Sequence, residues 1–129
     1  MIVDSSALLA ILKDEPDAAQ YTEAIQVEAE PAMSAATLVE TSVVAGPTRH
    51  ADLDQLLTES GIAVRPFDAE QATIAREAYV RFGKASGSPA RLNLGDCFSY
   101  ALAKVTGRPL LFKGDDFTHT DVTAAYRPH

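Results

Sequence analysis

Five carboxylates stand where exposed charge is not expected. Asp4 follows Met-Ile-Val, Glu40 lies inside TLVETSVV, Asp96 opens GDCFSYALA, and Asp115 and Asp116 are adjacent in LLFKGDDF. A carboxylate among apolar residues must be paired, hydrogen-bonded or metal-bound, or else hold a proton. Three or four brought to one place would repel strongly without cations. Hard oxygen ligands select Mg²⁺ or Mn²⁺ over soft metals. Each acid also has an ordinary role. Asp4 suits a helix cap, Asp96 a helix N-terminal dipole, Glu40 a solvent face, and the Asp115-Asp116 pair a turn. The signal lies in the set. No competing scheme comes from His50, His119 and His129, which are scattered and suit the surface. The single Cys97 excludes an internal disulfide and any multi-cysteine metal site, and suits a buried structural thiol.

The elements that must position these acids follow from periodicity and breakers. Residues 2 to 4 read as a short buried strand, and Ser5 or Ser6 can cap a helix striped by Ala7, Leu8, Ile11 and Leu12. Pro16 of DEPD suits the first turn of a second helix carrying Ala18, Tyr21 and Ile25. PAMSA (31 to 35) is a strand candidate. The helix after it points Leu38, Val39 and Val43 inward and ends near Gly46-Pro47. ADLDQLLTES is helical and stops at Gly61, and IAVRPF alternates as a strand. Asp68 and Gln71 resemble a capping box before a helix marked by Ala72, Ala75, Tyr79 and Phe82. Residues 83 to 93, rich in Gly, Ser and Pro, read as a flexible loop. LGDCFSYALAKVTG reads as a helix, PLLF as a strand, and the tail after residue 117 as a weak final strand.

Helices between successive strands demand crossovers, so the fold class is α/β with a parallel sheet covered on both faces. Ligands bind such sheets outside the carboxyl ends of the strands. Asp4 ends the first strand and the Asp115-Asp116 pair follows the last, so topology brings them to one sheet edge. The 129 residues suit one domain, 1–129. No apolar stretch approaches a membrane span, Asp4 interrupts the N-terminal apolar run, and cytoplasm is the default compartment. The net charge of -7 argues against a general nucleic-acid binder but suits cations or a basic partner.

Four segments carry a resemblance that spans nearly the whole chain: MIVDSSALLAIL with DEPD, MSAATLVET, LNLGDCFSYALAK and PLLFKGDDFTHTDV. In order and spacing they resemble the PIN-domain ribonucleases, specifically the VapC toxins of bacterial VapBC toxin-antitoxin modules. The resemblance implies a three-layer α/β/α sandwich around a parallel sheet of four to five strands. It implies Mg²⁺- or Mn²⁺-dependent cleavage of RNA that leaves a 5′-phosphate and a 3′-hydroxyl. It places metal-site acids at Asp4, Glu40 and Asp96. The fourth falls at Asp116, because the residue before Phe is the constant one in FKG-x-DF; the wider family often has its fourth acid at the position of Gly114. Ser6 matches a family hydroxyl that bonds a ligand carboxylate or substrate, and helix capping accounts for it equally well. Basic candidates for phosphate contact are Lys13, Arg49, Lys84, Arg91 and Lys113, each otherwise solvated surface charge. The resemblance further implies a homodimer and a VapB antitoxin whose C-terminal segment lies across the toxin groove. Two rival schemes fail on spacing. A receiver domain needs an acid pair after the first strand, where Asp4 is followed by two serines, and a DxDxT phosphatase would need an acid at Ser6. A non-catalytic PIN-like binder would have no need to retain the acids.

Overall fold

The computed structural model describes residues 1–126. Four parallel strands, β1 (Ile2–Val3), β2 (Ala32–Ser34), β3 (Ala63–Arg65) and β4 (Leu110–Leu111), form a sheet in the order β3-β2-β1-β4. Helices α1 (Ser5–Leu12) and α2 (Ala18–Gln26) join β1 to β2, and α3 (Ala35–Ala45) and α4 (His50–Ser60) join β2 to β3. Helices α5 (Ala69–Phe82) and α6 (Leu94–Thr106) join β3 to β4.

The two-residue period of a strand explains the layers. Ile2, Ala32 and Leu110 face one core with Ala75, Phe82, Leu92, Cys97 and Tyr100. Their neighbours Val3, Met33 and Leu111 face the other, with Leu8, Tyr21, Ile25, Leu53 and Leu57. Each central strand thus buries both faces, which accounts for its unbroken apolar sequence. Helices α5 and α6 cover one side, and α1, α2 and α4 the other. The α/β sandwich expected from the sequence is present, with four strands. The tail adds one parallel bridge, Leu110 to Ala124, rather than a full strand.

Several local expectations need correction. Asp4, not Ser5 or Ser6, is the N-cap of α1, because its side chain accepts from the Ser6 amide. Helix α2 begins at Ala18, beyond Pro16. Val39 and Val43 of α3 point outward, 63% and 75% exposed, while Thr37 and Thr41 are buried. The inward stripe of α3 is polar because its hydroxyls find partners: Thr41 Oγ1 donates to the Thr37 carbonyl at 2.7 Å, and Thr37 meets Ser99 at 3.2 Å. On α5 the inward residues are Gln71, Ala75, Ala78 and Phe82, so Ala72 and Tyr79 lie on the open side. Gln71 does not complete a capping box with Asp68. Asp68 accepts from the Gln71 amide, but the Gln71 side chain donates to the Pro66 carbonyl at 3.0 Å. The 83–93 loop is pinned, since Leu92 and Ala90 are buried and Leu92 bonds back to Phe82 and Lys84.

Candidate active site

Asp4 is the first residue beyond β1, and its amide donates to the Leu111 carbonyl on β4 at 2.9 Å. It is 2% exposed. One oxygen, Oδ2, accepts from the Ser6 amide at 3.1 Å and from Ser6 Oγ at 2.7 Å. The other, Oδ1, accepts from Ser99 Oγ at 2.5 Å. Burial pushes the Asp4 pKa up, and the hydroxyl and amide donors oppose that rise. Ser6 Oγ also accepts from the Lys113 amide at 2.9 Å. The hydroxyl therefore ties the end of β1 to the segment leaving β4.

Glu40 is carried by α3, whose N-cap Ser34 accepts from the Ala36 amide at 3.2 Å. The Glu40 carboxylate lies directly over Gly95. Its Oε1 is buried and has no hydrogen-bond partner among the described residues. Burial raises its pKa; Asp4 adds to the rise and Ser5 works against it.

Asp96 occupies the first turn of α6. Asn93 Oδ1 accepts from the Asp96 amide at 2.9 Å, and Asp96 Oδ2 accepts from the Asn93 amide at 3.0 Å. This reciprocal box locks the helix start and fixes one carboxylate oxygen. The dipole and site readings of Asp96 are thus compatible. Its pKa is pushed up to about 7, first by burial and then by the charges of Asp4, Asp116 and Glu40, with the Asn93 amide opposing. Asn93 and the buried hydroxyls Thr37 and Ser99 escaped the sequence reading. Their signal was a polar residue three positions from an acid on an otherwise apolar helix, as in TLVE and DCFS.

Asp115 and Asp116 separate cleanly. Asp116 opens a short 3-10 turn, Asp116–His119, and its charge bears on Asp96. Phe117 anchors that turn, being 3% exposed with its ring centroid 5.1 Å from that of Phe112. Asp115 instead lines a small cavity of about 120 Å³ with Tyr21, Phe112, Thr118 and Tyr126. Gly114, at φ 99°, makes the sharp backbone turn between β4 and this pair.

The basic candidates do not gather here as a set. Lys113 Nζ is paired with Glu15 Oε2 and Asp17 Oδ1, each at 3.0 Å, in partly exposed surface ion pairs that an RNA phosphate would have to displace. Arg49 is likewise engaged, donating to the Leu12 carbonyl and to Asp52 Oδ2. Lys13 caps the end of α1 and is exposed; Lys84 and Arg91 are exposed at the two ends of the pinned loop. His50 bonds the Ser42 carbonyl, His119 is exposed, and His129 lies outside the described residues. Cys97 is buried with its thiol pushed up to about 11, as suits a structural residue.

An apolar groove of about 600 Å³, lined by Phe67, Tyr79, Val80, Leu94 and Phe98 among others, runs beside the acids. Leu94 and Phe98 continue it into a hollow of about 400 Å³ that includes Val39 and Glu40. The 600 Å³ groove therefore lies beside Glu40 rather than around the acids.

Among the described residues, no three Asp, Glu, His or Cys side chains form a ready-made metal nest. Three observations nonetheless fit a divalent cation. The donors are all carboxylate oxygens, Glu40 Oε1 is buried without a partner among the described residues, and the Asp96 pKa is raised by burial and, to a smaller extent, by its acidic neighbours.

The PIN domain model matches residues 1–122. Ribonuclease VapC42 of Mycobacterium tuberculosis is 48% identical over 129 residues, covering 97% of this chain and 98% of the relative. Ribonuclease VapC of Mycolicibacterium smegmatis is 48% identical over 130 residues, covering 98% of this chain and 100% of the relative. The crystal structure of Mycobacterium tuberculosis VapC20, described as a sarcin-ricin loop cleaving toxin, superposes with a TM-score of 0.76 at 18% identity and covers 98% of each chain. A toxin-antitoxin complex from Klebsiella pneumoniae gives a TM-score of 0.73 at 19% identity, again with 98% of each chain covered. A family model that spans residues 1–122 and relatives alike from end to end give one assignment: the chain belongs to the PIN-domain family and, within it, to the VapC ribonucleases.

Proposed function

We propose that this chain is the toxin of a VapBC-type pair and hydrolyses RNA phosphodiester bonds at the Asp4, Glu40, Asp96 and Asp116 cluster with Mg²⁺ or Mn²⁺. The observation that carries the reading is Asp96, a carboxylate raised to about 7 by burial and by three acids from remote parts of the chain. Such mutual repulsion costs stability unless a cation relieves it, and sites of this kind are more often functional than structural.

Asp4 and Asp96 are the principal metal ligands in this reading. When bound, the ion supplies a nucleophilic water at neutral pH and offsets charge on the attacked phosphate and leaving oxygen. Glu40 offers its unpartnered oxygen to a second ion or to the attacking water. Asp116 completes the cluster from the rim. Asn93 holds Asp96 at the start of α6, and Ser6 holds Asp4 while bracing the segment that carries Asp116. Lys13, Lys84 and Arg91 remain the candidates for contact with RNA phosphates, together with the rim of the pocket. Attack by water on phosphorus with cleavage of the P–O3′ bond would leave a 5′-phosphate and, once O3′ is protonated, a 3′-hydroxyl, with the ribose 2′-hydroxyl unused.

A basic VapB segment suits both the acidic pocket and the apolar groove beside it. The exposed Val39 and Val43 on α3 suit a further interface, consistent with a homodimer. No helix among the described residues is long and apolar enough to cross a membrane, and the cytoplasm is the proposed compartment. We read residues 1–129 as one PIN domain.

The reading is tested by incubating the purified chain with structured RNA and Mn²⁺, with and without a chelator, and analysing the ends. Cleavage that stops on chelation and leaves 5′-phosphates supports it. Cyclic phosphates, or cleavage indifferent to chelation, would overturn it.

A further inference from the structure

Beneath the acids lies a layer of buried hydroxyls. Thr37 is three residues before Glu40 on α3, and Ser99 is three residues after Asp96 on α6, so each shares a helix face with an acid. Both are 0% exposed. Ser99 Oγ lies 2.5 Å from Asp4 Oδ1 and 3.2 Å from Thr37 Oγ1.

Donor counting sets the direction of these bonds. An ionised Asp4 only accepts, and a serine has one proton to donate. Ser99 therefore gives its proton to Asp4 Oδ1 and must accept from Thr37 Oγ1. Thr41 does not compete, since its hydroxyl donates to the Thr37 carbonyl. The result is a one-way chain, Thr37 to Ser99 to Asp4, that joins α3, α6 and β1. Ser6 grips the opposite oxygen, so the Asp4 carboxylate is held from both sides. The Ser99–Asp4 bond is charge-assisted, hence short and strong, and the neutral Thr37–Ser99 bond behind it supports it in a layer closed to bulk solvent.

We propose that Ser99, supported by Thr37, is a positioning residue that sets the orientation of Asp4 as a divalent-cation ligand. The proposal rests on the metal-dependent reading above. A serine kept only to fill the core would leave cation affinity unchanged when shortened to alanine.

The test measures Mn²⁺ binding to the full chain without RNA by calorimetry, for wild type, Ser99→Ala and Thr37→Val. The Mg²⁺ dependence of RNA cleavage is measured alongside. Ser99→Ala is expected to weaken Mn²⁺ binding about tenfold, as for other residues that orient a metal ligand. The Mg²⁺ needed for half-maximal cleavage rises in step, while KM for RNA at saturating Mg²⁺ stays unchanged. Thr37→Val, which keeps shape and removes the hydroxyl, shifts both in the same direction by less. Wild-type Mn²⁺ affinity in a folded Ser99→Ala overturns the proposal; if that variant does not fold, wild-type affinity in Thr37→Val does so. These outcomes leave the nuclease reading standing. That reading fails separately if the wild type binds no Mn²⁺ and cuts RNA in chelator, and the positioning role falls with it.

Discussion

Gly95 has no side chain at the place where Glu40 rests: a Cβ on it would fall 1.4 Å from Glu40 Oε2. The glycine is needed for close approach rather than for an unusual backbone angle. Glu40 is long and its far end can swing away, so the fold can tolerate the intrusion. The site cannot, because the displaced oxygens leave their place beside Asp96. Gly95→Ala is therefore expected to lower RNA cleavage about 10- to 100-fold, the usual cost of displacing groups around a metal ligand. Its melting temperature should stay close to wild type. Unimpaired cleavage in a folded Gly95→Ala would remove Glu40 from the mechanism as described.

Asp115 and Asp116 are predicted to differ as sharply in activity as they do in position. Asp116 bears electrostatically on Asp96, whereas Asp115 lines a separate small cavity. Asp116→Asn should reduce cleavage by about tenfold or more. Asp115→Asn should cleave at near the wild-type rate. Side-by-side rate measurements decide the matter, and the reverse pattern would move the fourth acid to Asp115.

The raised Asp96 pKa carries a pH prediction. Burial and the neighbouring acids push it up to about 7 in the folded chain, from an ordinary 3.8. Between these limits the folded state keeps a proton that the unfolded chain has released, so this group's contribution to stability falls as pH rises through the window. The chelator-treated protein should melt at a lower temperature near pH 7 than its other groups would dictate, and Asp96→Asn should flatten that part of the profile. Protons also compete with the cation for the same oxygens. Cleavage at limiting Mg²⁺ should accordingly fall as pH drops below about 7, and saturating Mg²⁺ should shift that fall to lower pH. Identical melting profiles for wild type and Asp96→Asn would show that Asp96 does not titrate in this range.

The proposed site acids were chosen because a carboxylate in apolar company is costly and so stands out in the sequence. Asp4, Glu40 and Asp96 each broke an otherwise apolar run, and strand ends placed Asp4 and Asp116 at one sheet edge. The parallel sheet followed from helices between strands, whereas the strand order β3-β2-β1-β4 was read only from the fold. Helix faces were harder to read. Val39 and Val43 look like core by periodicity, yet they are exposed, while Thr37 and Thr41 are buried because Ser99 and a backbone carbonyl satisfy them. An apolar stripe left exposed has the same pattern in the sequence as one buried in the core. Lys113 looked available for phosphate because Glu15 and Asp17, almost a hundred residues away, are invisible as neighbours until the chain folds. Asn93 and Gly95 were overlooked for a similar reason. One acts through backbone amides at a helix start, and the other through the side chain it lacks.

The central claim is that carboxylates from separate elements form one cation-dependent hydrolytic centre. Cleavage of a structured RNA with Mg²⁺ or Mn²⁺, by wild type and by Asp4→Asn and Asp96→Asn, tests it most directly. Both variants keep the size of the side chain and can still accept from Ser6 or Asn93 through the remaining oxygen. The account predicts cleavage by the wild type that ceases with chelator, and loss of cleavage in both folded variants. Cutting that persists through chelation and through both substitutions would contradict it.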